Sequence, residues 1–256
     1  MQYILLVILI ILFLYILYID YRSYREPFSQ DNIEIVISRY NEKLDWLEGA
    51  PFSDNKYIVY NKGPNTEFYK SDKLKEIVDV ENVGRESHTY LYHIIKNYGQ
   101  LADVTVFLPG SADLPNKFER SKEIVEYVNN NDTSVLSCSK DYIGNVHDLF
   151  KDFEMNEYLS TNNENKTMNS DSSVYKSELR PFGRWYKTIF GENAASNCFV
   201  VNGIFAISKE DIEKKPLSYY EDLIKHVDNH KNPEAGHYFE RSWENVFGPF
   251  DNIKYL

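Results

Sequence analysis

The chain predicts an α/β fold: one mainly parallel sheet, mixed at its edge and flanked by helices, behind a single N-terminal transmembrane helix. Three observations carry this. Short β-branched runs such as Ile33-Glu34-Ile35-Val36-Ile37-Ser38 and Val104-Thr105-Val106-Phe107-Leu108 read as buried strands. Between them lie segments with apolar residues at helical spacing, and strands alternating with helices imply a parallel sheet. Finally, Tyr3 to Ile19 carries no charged side chain.

That last run comes first in the chain. At ~1.5 Å per residue it spans roughly 25 Å, enough for a slightly thinned bilayer core. Tyr15 and Tyr18 approach one interface, with Arg22 and Arg25 just beyond it. A cleaved signal peptide is the weaker alternative, because the run is long and no small-x-small cleavage site follows. The expected organisation is an anchor over 1–20, a polar stalk over 21–31 and an α/β domain over 32–256. The protein is thus expected to be a single-pass membrane protein held through residues 3–19. Counting Lys and Arg leans toward a cytoplasmic domain. A signal anchor with a lumenal domain competes, and only there would the sequons at Asn131 and Asn165 be used.

After Ile33 to Ser38, a second strand, Lys56 to Tyr60, is closed by Asn61-Lys62-Gly63-Pro64, and Ile77 to Val80 is a third. Leu91, Ile94, Ile95 and Tyr98 mark a helix over Ser87 to Tyr98 that stops at Gly99. Val104 to Leu108 is followed by Pro109-Gly110, then a helix over Lys117 to Asn129. Residues 156–173 are rich in Asn, Ser and Thr and read as a flexible insertion. A helix around Trp185 to Phe190, a strand from Cys198 to Ile207 and helices over Leu217 to His230 and Gly236 to Phe247 complete the pattern.

Composition excludes several classes. With 256 residues and a net charge of −11, the chain lacks the basic face that a nucleic-acid backbone requires. Two cysteines, Cys138 and Cys198, are too few for a disulfide scaffold or a thiolate zinc site, and read best as small buried hydrophobes. No nucleophile elbow, His-Glu-x-x-His or kinase set is present. His226 and His230 are four apart but have no third ligand nearby.

The candidate site residues fall at strand ends and helix starts, where ligands of open α/β sheets sit. Ser38-Arg39-Tyr40-Asn41-Glu42 ends the first strand; Asn41 and Glu42 would hold a base or ribose, or Asn41 would cap the next helix. Asn61 and Lys62 end the second, with Lys62 facing a phosphate or solvent. Asn82-Val83-Gly84-Arg85-Glu86-Ser87-His88 enters a helix; the glycine would let backbone N–H groups approach an anion, and Arg85 would add a fork of donors. Asp113, past the Val104 strand, is a candidate Mg²⁺ or Mn²⁺ ligand, although there is no Asp-x-Asp pair. In Gly236-His237-Tyr238-Phe239-Glu240-Arg241-Ser242-Trp243-Glu244, the residues Phe239, Trp243 and Val246 form a core stripe. His237, Glu240, Arg241 and Glu244 gather opposite, where Glu240 and Arg241 are either a base with its positioning cation or an ion pair.

In order, these motifs resemble the DUF3431 family from about Ile33 to Phe250. The most specific pieces are the Gly84-Arg85-Glu86 turn within Asn82 to Leu91 and the closing Glu240-Arg241-x-Trp243 helix; Arg180-Pro181-Phe182-Gly183-x-Trp185-Tyr186 lies between them. The arrangement also resembles GT-A glycosyltransferases at a distance, which implies a Rossmann-like sheet with a nucleotide sugar across the strand ends. It implies substrate contacts from Arg39, Asn41, Glu42, Asn61, Lys62, Gly84, Arg85, Glu86 and His88, a metal at Asp113, and catalysis by Glu240 with Arg241. The acceptor would be a glycan or protein hydroxyl. The alternative is a non-catalytic glycan- or protein-binding module, and a weaker third is a hydrolase using Asp113 and Glu240.

Overall fold

The computed structural model describes residues 11–15, 32–168 and 170–256. Among them no helix is long and apolar enough to cross a membrane. The expected anchor and stalk lie outside the described residues, apart from 11–15, which are helical and exposed.

Seven strands form one sheet in the order β3-β2-β1-β4-β6-β5-β7. They are β1 (Ile33–Arg39), β2 (Lys56–Asn61), β3 (Leu74–Asp79), β4 (Val104–Pro109), β5 (Ser134–Cys138), β6 (Val200–Ser208) and β7 (Ile253–Tyr255). Four of the six pairings are parallel, but β6 runs antiparallel to both β4 and β5. The mixed character is therefore inside the sheet and not at its edge. Between β1 and β4 the chain reverses direction of travel: β2 and β3 were laid on one side of β1, and β4 lies on the other. Such a switch point opens a crevice at the carboxyl ends of the two strands.

Each face of the sheet has its own core. One face carries α1 (Arg85–Asn97), α5 (Phe182–Phe190), α7 (Leu217–Ile224), α8 (Glu234–Glu240) and α9 (Trp243–Phe247). Its core is aromatic, with Tyr90, Phe107, Phe205 and Trp243 in mutual ring contact. The other face packs α2 (Phe118–Val128) and a 3₁₀ turn over Asp45–Glu48 against Ile35, Ile37, Val106 and Leu108. Shorter helices are α3 (Val146–Phe150), α4 (Asn163–Met168) and α6 (Lys209–Glu213).

Three expectations change. The helix expected after Asn41 is only the 3₁₀ turn, and Asn41 does not cap it, since its Oδ1 accepts from Asn65 Nδ2 at 3.2 Å. The C-terminal helix is two helices, broken at Arg241-Ser242, so the four polar residues assigned to one face diverge. Glu244 instead accepts from Ser196 Oγ and from the Asn197 and Cys198 N–H groups at 3.0 and 3.1 Å. Cys138 and Cys198 form a disulfide that staples the end of β5 to the segment entering β6, with Cα atoms 5.1 Å apart.

Candidate functional site

The carboxyl ends of β1 and β4 open into a cavity of about 330 Å³. Its floor is Ser38, Arg39, Pro109 and Ser111 from the two strand ends. Around it stand Glu42, Lys62, Arg85, Glu86, Lys117 and Glu240, and Asn202 enters from β6.

Arg39 is fully buried. Its Nε donates to Glu42 O at 2.7 Å, and one Nη donates to Asn61 Oδ1 at 2.5 Å and Asn65 O at 2.6 Å. The other Nη, also buried, has no partner within the protein. Asn61 lies behind Arg39 and also bonds Asp79 and Gly63, so it positions the arginine without lining the cavity. Glu42 turns back on its own loop, where its Oε2 accepts from Tyr40 and Asn41 N–H at 2.7 and 3.0 Å. This fold-back demands a glycine across from it: a Cβ on Gly110 would stand 2.7 Å from Glu42 Oε2.

Lys62 is neither solvated nor free to swing. Its ammonium donates to Val83 O at 2.5 Å and to Arg85 O, which pins the turn that leads into α1. Burial pulls its pKa down to about 7, against the charge of Glu86. That turn is strained: Gly84 and Arg85 are both left-handed, with φ of 62° and 52°. Gly84 is required by packing. A Cβ there would stand 2.1 Å from Val227 O and 2.4 Å from His88 Cβ, and the Gly84 N–H already donates to His230 O. Gly84 therefore does not line the cavity, contrary to its expected anion contact. A second left-handed pair, Asn202-Gly203 in β6, lies opposite; a Cβ on Gly203 would come within 3.2 Å of Glu86 Cγ.

Arg85 lies against the Tyr158 ring at 4.1 Å and donates to its hydroxyl at 3.2 Å. Burial opposes its charge, but Glu86, Tyr158 and Glu240 outweigh burial and hold the guanidinium firmly protonated. Glu86 and Glu240 are close enough that each shifts the other's titration. Burial and the neighbouring Glu86 charge raise Glu240 to about 7, whereas Arg85 overcomes burial and keeps Glu86 below the usual carboxylate range. Of the two, Glu240 is therefore the one that takes up a proton as pH falls toward neutral, while Glu86 stays ionised.

The structure brings Arg39, Glu42, Lys62, Arg85, Glu86 and Glu240 to one cavity, although they span some two hundred positions. It does not bring the rest. Asn41 points to a separate surface groove beside Asn65 and Phe68. His88 stacks on Tyr92 beneath the turn, and burial lowers its pKa to about 4. Arg241 turns away into an aromatic box, 3.8 Å from the Phe153 ring and near Phe150 and Phe199; it touches Glu240 only at 3.9 Å. Asp113 is exposed on the turn after β4 and does not line the cavity. No group of three His, Cys, Asp or Glu side chains among the described residues could hold a metal. The residues present thus do not fit a divalent ion at Asp113.

Sequence reasoning missed two contributors. Lys117 lies just before α2 with its ammonium on Ser111 Oγ at 2.8 Å. It is buried, and burial lowers its pKa. The other is the Asn-rich segment, which forms a wall of the cavity through Tyr158, Ser160, Thr161, Asn165 and Asp171. Asn165 donates to Glu42 at 2.6 Å, and Asp171 pairs with Lys231 at 2.8 Å. The segment's roots are held by the fully buried Glu234, which accepts from Met155 and Ser177 N–H at 2.9 Å and pairs with Arg180.

No curated protein matches this chain. A family described as a protein of unknown function, DUF3431, matches residues 35–253, which include every strand end and helix start that builds the cavity. The chain belongs to the DUF3431 family.

Proposed function

We propose that the protein is a membrane-anchored glycosyltransferase-like enzyme that binds a nucleotide sugar across the carboxyl ends of β1 and β4. The observation that carries this reading is the juxtaposition of two carboxyls, Glu86 and Glu240, with buried cations in a cavity at the switch point. Glu240 titrates near neutral pH, where a general base is most effective. In an inverting transfer its deprotonated form takes the proton of the acceptor hydroxyl as that oxygen bonds to the anomeric carbon. The bond from the anomeric carbon to the phosphate oxygen breaks, and the departing diphosphate keeps the electron pair. Arg85 offers its donors to that growing charge. Asp113 is exposed and does not line the cavity that Glu240 faces, which disfavours a hydrolase built on that pair.

The disulfide supports placing the domain on an oxidising side of the membrane, because such bonds persist there and are rare in the cytosol. That favours the signal-anchor orientation over the one counted from Lys and Arg. A second reading, a non-catalytic glycan- or protein-binding module, is favoured by the exposed position of Asp113. The test is calorimetric titration of the full-length chain, in detergent, with a panel of nucleoside diphosphate sugars. Saturable binding of one donor is expected, with turnover lost in Glu240→Gln and binding retained. Saturable binding to none removes the proposal.

A further inference from the structure

Building on the nucleotide-sugar reading, we infer that the donor's diphosphate is neutralised by Lys117 and Arg85, with Lys62 behind them, in place of a divalent metal ion. The segment after β4 is where a metal ligand was expected, and its one acidic side chain, Asp113, is exposed outside the cavity. The charged side chain that this segment sends into the cavity, beside Ser111, is a cation, Lys117. It is nine-tenths buried and donates to Ser111 Oγ, leaving its remaining ammonium donors for the space it lines.

The cavity's charge agrees. Five cationic side chains line it, Arg39, Lys62, Arg85, Lys117 and Lys231, against four carboxyls, Glu42, Glu86, Asp171 and Glu240. Lys62 and Glu240 both titrate near 7, so together they leave that balance unchanged. A positive surplus therefore collects in a chain whose net charge is −11. Buried cations are costly unless compensated, and a bound polyanion would compensate these. The carboxylates that a metal would need are already engaged. Glu42 accepts from two backbone N–H groups and from Asn165. Glu86 and Glu240 lie beside each other, and both feel the Arg85 charge, with Glu86 3.6 Å from its Nε.

The experiment titrates the full-length chain with inorganic pyrophosphate, once in EDTA and once with Mn²⁺. The expected result is saturable binding in EDTA, with an affinity within threefold of that in Mn²⁺. Lys117→Met and Arg85→Gln should each weaken it at least tenfold, while Lys117→Arg stays within a few fold of the wild type. Thermal unfolding of each variant reports whether it is folded, and the EDTA comparison on the wild type stands without any variant. Binding that appears only with Mn²⁺ overturns the inference and leaves the nucleotide-sugar reading intact. So does EDTA-resistant binding that a folded Lys117→Met leaves unchanged. Absence of binding for pyrophosphate and for every nucleotide sugar, with or without Mn²⁺, overturns both.

Discussion

At the amino end of β1, Glu34 is buried against Lys75 and faces His93 Nε2 at 3.8 Å, while His93 Nδ1 meets the Tyr60 hydroxyl at 2.9 Å. At the carboxyl end of the same strand, Arg39 is equally buried among polar partners. The first cluster lines none of the 330 Å³ cavity; the second forms its floor. The two ends contain the same kinds of side chain, so residue type alone does not mark a site. What separates them is where their polar atoms end. Glu34, His93 and Tyr60 face one another beneath α1, whereas Arg39, Lys117, Glu86 and Glu240 have open space in front of them.

Three perturbations sharpen or break this contrast. The largest effect is expected at Arg39, because its replacement strands Asn61 and the Glu42 and Asn65 carbonyls in the interior. Arg39→Met should cost about 3 kcal/mol, the lower end for breaking a buried charged network, measured by urea unfolding. An unchanged midpoint would mean that the floor is solvated and not part of the core.

Next comes the pH dependence, in which the two ends oppose each other. Burial, with help from the charges of Lys75 and Lys96, lowers His93 from 6.5 to about 3. The unfolded chain therefore binds more protons there, and stability rises with pH between about 3 and 6.5. Glu240 is raised from 4.5 to about 7. Here the folded chain holds the extra proton, so this group's contribution is full below pH 4.5 and is lost as pH rises to 7. Each slope is at most about 1.4 kcal/mol per pH unit. His93→Phe should flatten the rising limb and Glu240→Gln the falling one. The same limb flattened by both variants would mean that the two clusters titrate as one.

The smallest effect is expected at Lys75, whose side chain is half exposed. Lys75→Ala should lower stability by less than about 1 kcal/mol and leave nucleotide-sugar binding unchanged. A measurable loss of binding would show that the amino end is coupled to the cavity.

Much of the architecture was legible. The runs at Ile33, Lys56 and Val104 became β1, β2 and β4 because β-branched stretches fit a doubly covered sheet. Elements with a weak pattern were not legible. β7 is three residues long and pairs only at the edge, and α6 is a five-residue helix begun by the Ser208 cap. In the site, position past a strand end identified Arg39, Glu42 and Lys62, and position at a helix entry identified Arg85 and Glu86. It also brought in Asn41 and Asp113, because such placement fixes where a residue is but not which way it points. Lys117 carried no motif, although its position shortly after β4 was a usable signal. Asn202-Gly203, a dipeptide suited to left-handed backbone inside a strand, was another.

The linear pattern of apolar residues was enough to determine the α/β class, the principal strands and the strand ends at which the cavity opens, because burial of period-2 and period-3.6 faces is a local property. The pairing of Glu86 with Glu240, the burial of Lys117, the role of Asn165 and the disulfide between Cys138 and Cys198 were decided only by tertiary structure. Each depends on the distance between residues far apart in the chain and on the desolvation that their meeting imposes, and neither quantity is written in the order of the residues.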